Sequence, residues 1–290
     1  MAHAEGRRRL LPYLLLGPGL LWLLAFFAVP LYYTAKISLQ SGTLDAGYRF
    51  TWEFGNYSNA ISTYGDQFLR SFEYAGLATI LCLLIGYPLA YAIAFRGGRW
   101  RNALLLAVIL PFFVTYLIRT LSWQTILSDD GWVVSVLKFL HLVPQDGRVL
   151  ATTSAVVAGI TYNFLPFMIL PLYASLERID PRMLEAGYDL YGRRRDVFLR
   201  VTFPLSLPGV VAGVLLTFIP AAGDFVNAQL LGTPRQFMIG NVIQSRFLTI
   251  ADYPTAAALS FLLMGLILIM VLAWAKFAGT EALMGSEASA

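Results

Sequence analysis

Residues 77–101 read LATILCLLIGYPLAYAIAFRGGRWR. No charge occurs from Leu77 to Phe95, and then Arg96, Arg99 and Arg101 follow within six positions. An apolar run of about 20 residues, wound as a helix, spans the hydrocarbon core of a bilayer. A short arginine-rich turn after such a run stays on the cytoplasmic side. Working outward from this stretch, which belongs to a span near 69–95, five more candidates lie near 10–36, 103–123, 152–175, 201–223 and 255–277. The whole chain agrees with that reading. Of its 290 residues 58% are hydrophobic and 13% charged, where soluble domains carry about a quarter charged. The expected fold is all-α: one polytopic transmembrane domain over residues 1–290 with about six membrane helices.

Two of the six are irregular. The third is short and contains Pro111 and Arg119, and the fifth is interrupted by Pro204, Pro208, Gly209, Gly213 and Pro220. The first follows Arg7, Arg8 and Arg9 but is too long for the apolar core of a signal peptide, so it reads as a span. With the N-terminus inside, cytoplasmic segments hold Arg7–Arg9, Arg96, Arg99, Arg101, Arg178, Arg182, Arg193–Arg195, Arg200 and Lys276. Both termini are then expected in the cytoplasm. The outer segment 40–66 carries Tyr48, Phe50, Trp52, Phe54, Tyr57 and Tyr64, residues suited to the membrane–water boundary.

Several chemistries are unsupported. No glycine-rich phosphate loop ending in Lys-Ser/Thr occurs, so the chain is not expected to hydrolyse ATP. No nucleophile–base arrangement stands out, which speaks against an enzyme. Cys82 is the single cysteine and sits in an apolar run as a packing residue, while His3 and His141 stand apart, so no metal site is expected. The arginines lie between apolar runs rather than on one basic face, which speaks against nucleic acid.

The segment 180–192 reads DPRMLEAGYDLYG and precedes Arg193-Arg194-Arg195. Asp180 followed by Pro181 is a helix start, an acceptor for free N–H groups and then a residue that lacks one. Leu184, Tyr188 and Tyr191 recur on one helical face, Ala186-Gly187 forms a notch of small residues, and Gly192 supplies a stop. Such a helix either lies on lipid headgroups with its arginines at phosphates, or docks into the groove of a cytosolic partner.

The run Leu184-Glu185-Ala186-Gly187, Asp189-Leu190, then Phe198 to Gly209 (FLRVTFPLSLPG) resembles the "EAA" loop of ABC importer permeases. Residues 85–91 (IGYPLAY), 111–131 (PFFVTYLIRTLSWQTILSDDG) and 219–247 (IPAAGDFVNAQLLGTPRQFMIGNVIQSRF) are similar to the spermidine/putrescine-type branch, and the likeness runs from about Gly17 to Phe277. The resemblance implies that Leu184, Glu185, Ala186, Gly187, Asp189, Leu190, Tyr191 and Gly192, within a loop of residues 180–200, form a cytoplasmic coupling helix seated on an ATPase. It further implies a second homologous permease, a cytosolic ATPase dimer that binds ATP and Mg, an extracytoplasmic solute-binding protein and a polyamine substrate, with no cofactor on this chain. Two positions depart from the family pattern. Gly187 replaces an alanine, and Tyr191 stands where a glycine usually falls, one residue before Gly192.

Ionisable groups inside spans point to function by default. Arg119 lies near the outer end of the third span. It reads as a gate residue, as a cation reaching for the interface, or as the partner of an outer-loop carboxylate. Asp224 follows the broken fifth span and reads as a pathway carboxylate or as a cap for the next helix. Phe225, Tyr116 and Trp123 offer rings for cation–π contact with an ammonium group, or simply pack. Glu73 reads as the local ion-pair partner of Arg70. A self-sufficient secondary transporter or channel is the alternative; it calls for paired intramembrane charges or discontinuous helices in matching halves.

Overall fold

The computed structural model describes residues 16–278. Arg7–Arg9, the start of the span near 10–36 and both termini lie outside the described residues. In chain order the elements are α1 (Leu16–Ser38), β1 (Gln40–Thr43), β2 (Gly47–Phe50), α2 (Gly55–Arg96), α3 (Arg101–Ile109), α4 (Tyr116–Ile126), α5 (Trp132–Phe139), α6 (Thr153–Glu177), α7 (Pro181–Tyr191), α8 (Arg194–Ala222), α9 (Val226–Leu231), α10 (Ile239–Gln244) and α11 (Tyr253–Ala278). Among these, α1, α2, α6, α8 and α11 are long and apolar enough to cross a membrane. A sixth crossing is available if the bent pair Gly98–Phe113 and Tyr116–Ile126 counts as one span.

The described chain divides into two compact units. One runs to Thr63 and takes in Ile243–Leu262. Its α1 is exposed along its apolar length, as a helix facing lipid would be. The hairpin β1–β2 pairs Thr43 with Gly47, which leaves residues 44–46 as the loop. Gly47 takes φ 78°, the left-handed position that closes a three-residue hairpin loop. Ser38 and Tyr57 share a hydroxyl hydrogen bond of 2.6 Å, and the Asn56 amide donates to the carbonyls of Ser38 and Gln40, each at 2.9 Å. The Tyr48 hydroxyl donates to the Ala251 carbonyl. This hairpin was not visible in the sequence, because GlnSerGlyThr carries no apolar alternation.

The other unit holds Tyr64–Val242 and the chain from Leu263. Its centre is α6, whose start is capped by the Thr152 hydroxyl accepting from the Ala155 N–H. Lipid tails are as apolar as leucine, so membrane helices associate through close packing at small residues. Here α8 approaches α6 at Gly209 and Gly213. A Cβ at Gly209 would come within 2.6 Å of Ser175 Cβ and 2.7 Å of the Pro171 carbonyl oxygen; one at Gly213 would meet Met168 Sδ at 2.7 Å. Cys82 is buried, and its thiol donates to the Thr161 carbonyl at 3.3 Å.

Two expectations are corrected, and the irregular third span takes a definite shape. The prolines and glycines of the fifth span do not interrupt it: α8 is continuous from Arg194 to Ala222. A π turn over Phe198–Thr202 widens the helix just ahead of Pro204, where an N–H is missing, and membrane helices accommodate proline by such local adjustments. The break comes later, at residues 223–225. The third span is not one straight helix, since its limbs bend by 95° where Val114 and Thr115 become extended. Finally, Arg70 does not pair with Glu73 but donates to the Phe237 carbonyl at 2.9 Å, satisfying an acceptor that the turn before α10 leaves open.

The α6–α8 contact is tight enough to test. Gly209→Leu should lower the apparent Tm of the detergent-purified protein by several degrees, since overpacking costs about 1–3 kcal/mol. Gly265→Ala, where nothing lies within 4 Å of an added Cβ, should leave it unchanged. Equal melting of the two variants would contradict the packing described.

Candidate functional site

A helix that stops inside a membrane leaves backbone and side-chain polar groups without water, and they need partners within the protein. Two breaks in apolar helices meet here. One is the bend between α3 and α4; the other is the break between α8 and α9. Asp224, buried in that second break, joins them. Its Oδ1 accepts from the Tyr116 hydroxyl at 3.0 Å and the Val226 N–H at 3.1 Å, and its Oδ2 accepts from the Asn227 amide at 2.7 Å. The Asn227 amide also donates to the Tyr116 hydroxyl at 2.6 Å. From α6, the buried Asn163 amide donates to Asn227 Oδ1 and Thr120 Oγ1, each at 3.2 Å. One carboxylate, two amides and two hydroxyls therefore tie α4, α6 and the start of α9 together. Gly159 makes room for this: a Cβ there would collide with Leu231 and come within 2.7 Å of Asn227 Oδ1.

Arg119 stands beside this network on α4. It is 8% exposed, so it does not reach out to the interface. Its guanidinium carbon lies 4.9 Å from the Phe112 ring centre and 5.7 Å from that of Tyr116. Both rings present the negative π face that attracts a desolvated cation. Nε and Nη1 are buried without a hydrogen-bond partner, and no carboxylate pairs with this arginine among the described residues. Phe225 is half-buried, and its carbonyl accepts from the Asn241 amide at 2.8 Å. The Trp123 ring packs on Tyr162, with centroids 5.3 Å apart. Thus Tyr116, Arg119, Asp224 and Phe225 gather around the two breaks, while Trp123 belongs to helix packing. Asn163, Asn227 and Thr120 were missed from sequence. The available signal was an amide inside an apolar helix, which is unfavourable unless hydrogen-bonded.

The segment 180–192 folds as its local chemistry dictates. Asp180 Oδ1 accepts the Arg182 N–H at 2.9 Å, Pro181 opens α7, and Gly192 ends it in the left-handed region at φ 67° with its N–H on the Tyr188 carbonyl at 2.8 Å. The position that requires glycine is 192. Tyr191 therefore remains helical without strain, and the Arg200 guanidinium lies 5.0 Å from its ring centre. Gly187 is buried, and a Cβ there would touch Val197 and Val201 at 3.2 Å, so the small-residue notch accepts α8 of the same chain. Leu184 packs inward on the cluster around Met168 and Leu172. The opposite face presents Arg182, Glu185, Ala186 and Asp189, all exposed, with Met183 and Leu190 along its flank. Leu190 is 79% exposed.

Residues 83–276 match the family described as "Binding-protein-dependent transport system inner membrane component". The spermidine/putrescine transport system permease protein PotB of Haemophilus influenzae is 37% identical over 252 residues, covering 87% of both chains. PotB of Escherichia coli is 36% identical over 253 residues, covering 86% of this chain and 92% of that one. Among solved structures, a bacterial ABC transporter involved in the import of the acidic polysaccharide alginate superposes with a TM-score of 0.70 at 21% identity, covering 96% of this chain and 98% of that chain. This last likeness concerns the fold alone.

The polar network predicts coupled effects on stability. Asp224→Ala leaves three donors unpaired and should lower the apparent Tm in detergent more than Tyr116→Phe, since each buried unsatisfied group costs about 1–3 kcal/mol. The double variant should fall by less than the sum of the two, because both remove the same bond. Strict additivity would place Tyr116 and Asp224 in separate interactions.

Proposed function

Because the chain belongs to the family of inner-membrane components of binding-protein-dependent transport systems, we propose that it forms one half of the solute path of an ATP-driven importer, with α7 as the element on which a cytosolic ATPase acts. The observation that carries this is the outward face of α7. Glu185, Ala186 and Asp189 stand on it in helical register beside an almost fully exposed Leu190, the pattern of a helix laid into a groove. ATP and Mg belong to the partner ATPase pair. A second homologous permease completes the path, an extracytoplasmic binding protein delivers the solute, and both termini lie in the cytoplasm, as the arginine-rich segments favour.

The transported solute is a polyamine such as spermidine or putrescine. The PotB relatives support this reading, as both are named for spermidine/putrescine transport.

The structure suggests how motion would travel. Gly187 seats α7 against Val197 and Val201 at the start of α8. Since α8 is continuous to Ala222, a push on α7 moves the far end of that helix. There the Asp224 network joins it to the bent α4 and to α6. Tyr116, Arg119, Asp224 and Phe225 then form the wall of the path that opens alternately to the two sides, and Asp224 keeps that wall in shape.

Glu185→Lys should reduce labelled spermidine uptake at least tenfold in membrane vesicles while the permease stays at normal abundance. ATP hydrolysis by the complex should also lose its response to loaded binding protein. Undiminished uptake would remove α7 from the coupling path; full uptake of another solute with none of spermidine would overturn the substrate alone.

A further inference from the structure

A cavity of about 760 Å³ opens where α2 ends and α8 begins. Its walls are aromatic. Tyr91 lies 4.8 Å from Phe95 and 6.2 Å from Phe198, centroid to centroid. Its charged lining consists of Arg96 and Arg194, with no carboxylate among the residues around it. Two nearby arginines are already engaged: Arg101 pairs with Glu177, and Arg200 sits on the Tyr191 ring. Arg96 and Arg194 are exposed and enter no ion pair among the described residues, and the hydroxyls of Tyr91 and Tyr188 make no hydrogen bond there either. Two free guanidiniums and two free hydroxyls thus stand over an apolar aromatic floor.

The fold explains the convergence. Arg96 is the last residue of α2, where that span leaves the membrane. Gly192, left-handed at φ 67°, turns the chain after α7 so that Arg194 opens α8 beside the same cavity. A guanidinium binds phosphate oxygens through paired N–H groups, and basic pockets between membrane helices on the cytoplasmic side take acidic lipid headgroups. We infer that this cavity is a binding site for the phosphodiester headgroup of an anionic phospholipid. Arg96 and Arg194 hold the phosphate, and an acyl chain lies along Tyr91, Phe95 and Phe198. Because Tyr188 and Gly192 of the α7 segment also line it, the bound lipid braces α7 against the end of α2. The site goes beyond the transport role; the cytoplasmic leaflet assigned to it rests on the orientation proposed above, but its binding chemistry does not.

The test is native mass spectrometry of the intact purified transport complex, titrated with phosphatidylglycerol or phosphatidylcholine. Wild type should retain phosphatidylglycerol at least threefold better than phosphatidylcholine. The Arg96→Gln/Arg194→Gln double variant should lose that preference, and each single variant should lose part of it, which decides the matter if the double variant fails to assemble. Arg235→Gln, a charge-matched change elsewhere, should behave as wild type. Equal retention by the arginine variants would overturn the proposal. So would full displacement of the lipid by a tenfold excess of inorganic phosphate, which would identify a soluble phosphate as the ligand. Absence of any lipid preference in the assembled complex would overturn it as well.

Discussion

The constraint on which this structure depends is that a polar group inside a bilayer finds no water. Two apolar helical elements break, after Phe113 and after Ala222, and each break leaves groups to be satisfied inside the protein. Asp224 links the two by accepting from the Tyr116 hydroxyl, the Val226 N–H and the Asn227 amide at once. Asn163 extends the network into α6. The irregular backbone at the two breaks is therefore held in a defined shape by a handful of side chains. Arg119 is the exception within this region, a buried cation stabilised by the faces of Phe112 and Tyr116 rather than by a carboxylate.

Small residues do the complementary work. Gly209 and Gly213 bring α8 onto α6, Gly159 seats α9, and Gly187 seats α7 on α8. Each replaces side-chain volume with backbone proximity, the usual basis of helix association in lipid. The result is a mechanical chain in which α7, α8 and the polar breaks are consecutive. Such a chain carries displacement only if its helices are stiff, and α8 keeps its helical path through Pro204, Pro208 and Pro220, with a π turn ahead of the first.

Much of this was legible in the sequence, for identifiable reasons. Charge-free runs of about 20 residues bounded by arginine clusters define spans whatever their packing, and Asp180-Pro181 with Gly192 marks α7 because caps are local chemistry. What the sequence concealed was tertiary. Prolines 204, 208 and 220 looked like breaks, yet the helix continues through them. Tyr191 departs from the family pattern but stays helical, because the left-handed residue is Gly192. Asn163 and Asn227 gave only a weak signal, an amide in an apolar run, because their partners come from three separate segments. The Arg70–Glu73 pair seemed natural by spacing, but the Phe237 carbonyl, distant in sequence, takes the guanidinium instead.

The account turns on which surface of α7 meets another protein. The most direct measurement is site-specific photocrosslinking in native membranes, with the reactive side chain placed at Leu190 and, as the inward-facing comparison, at Leu184. The account predicts a crosslink from position 190 to the ATPase subunit, and only intrachain products from position 184. A crosslink from position 190 to lipid alone would contradict it, leaving α7 as a helix resting on the membrane surface.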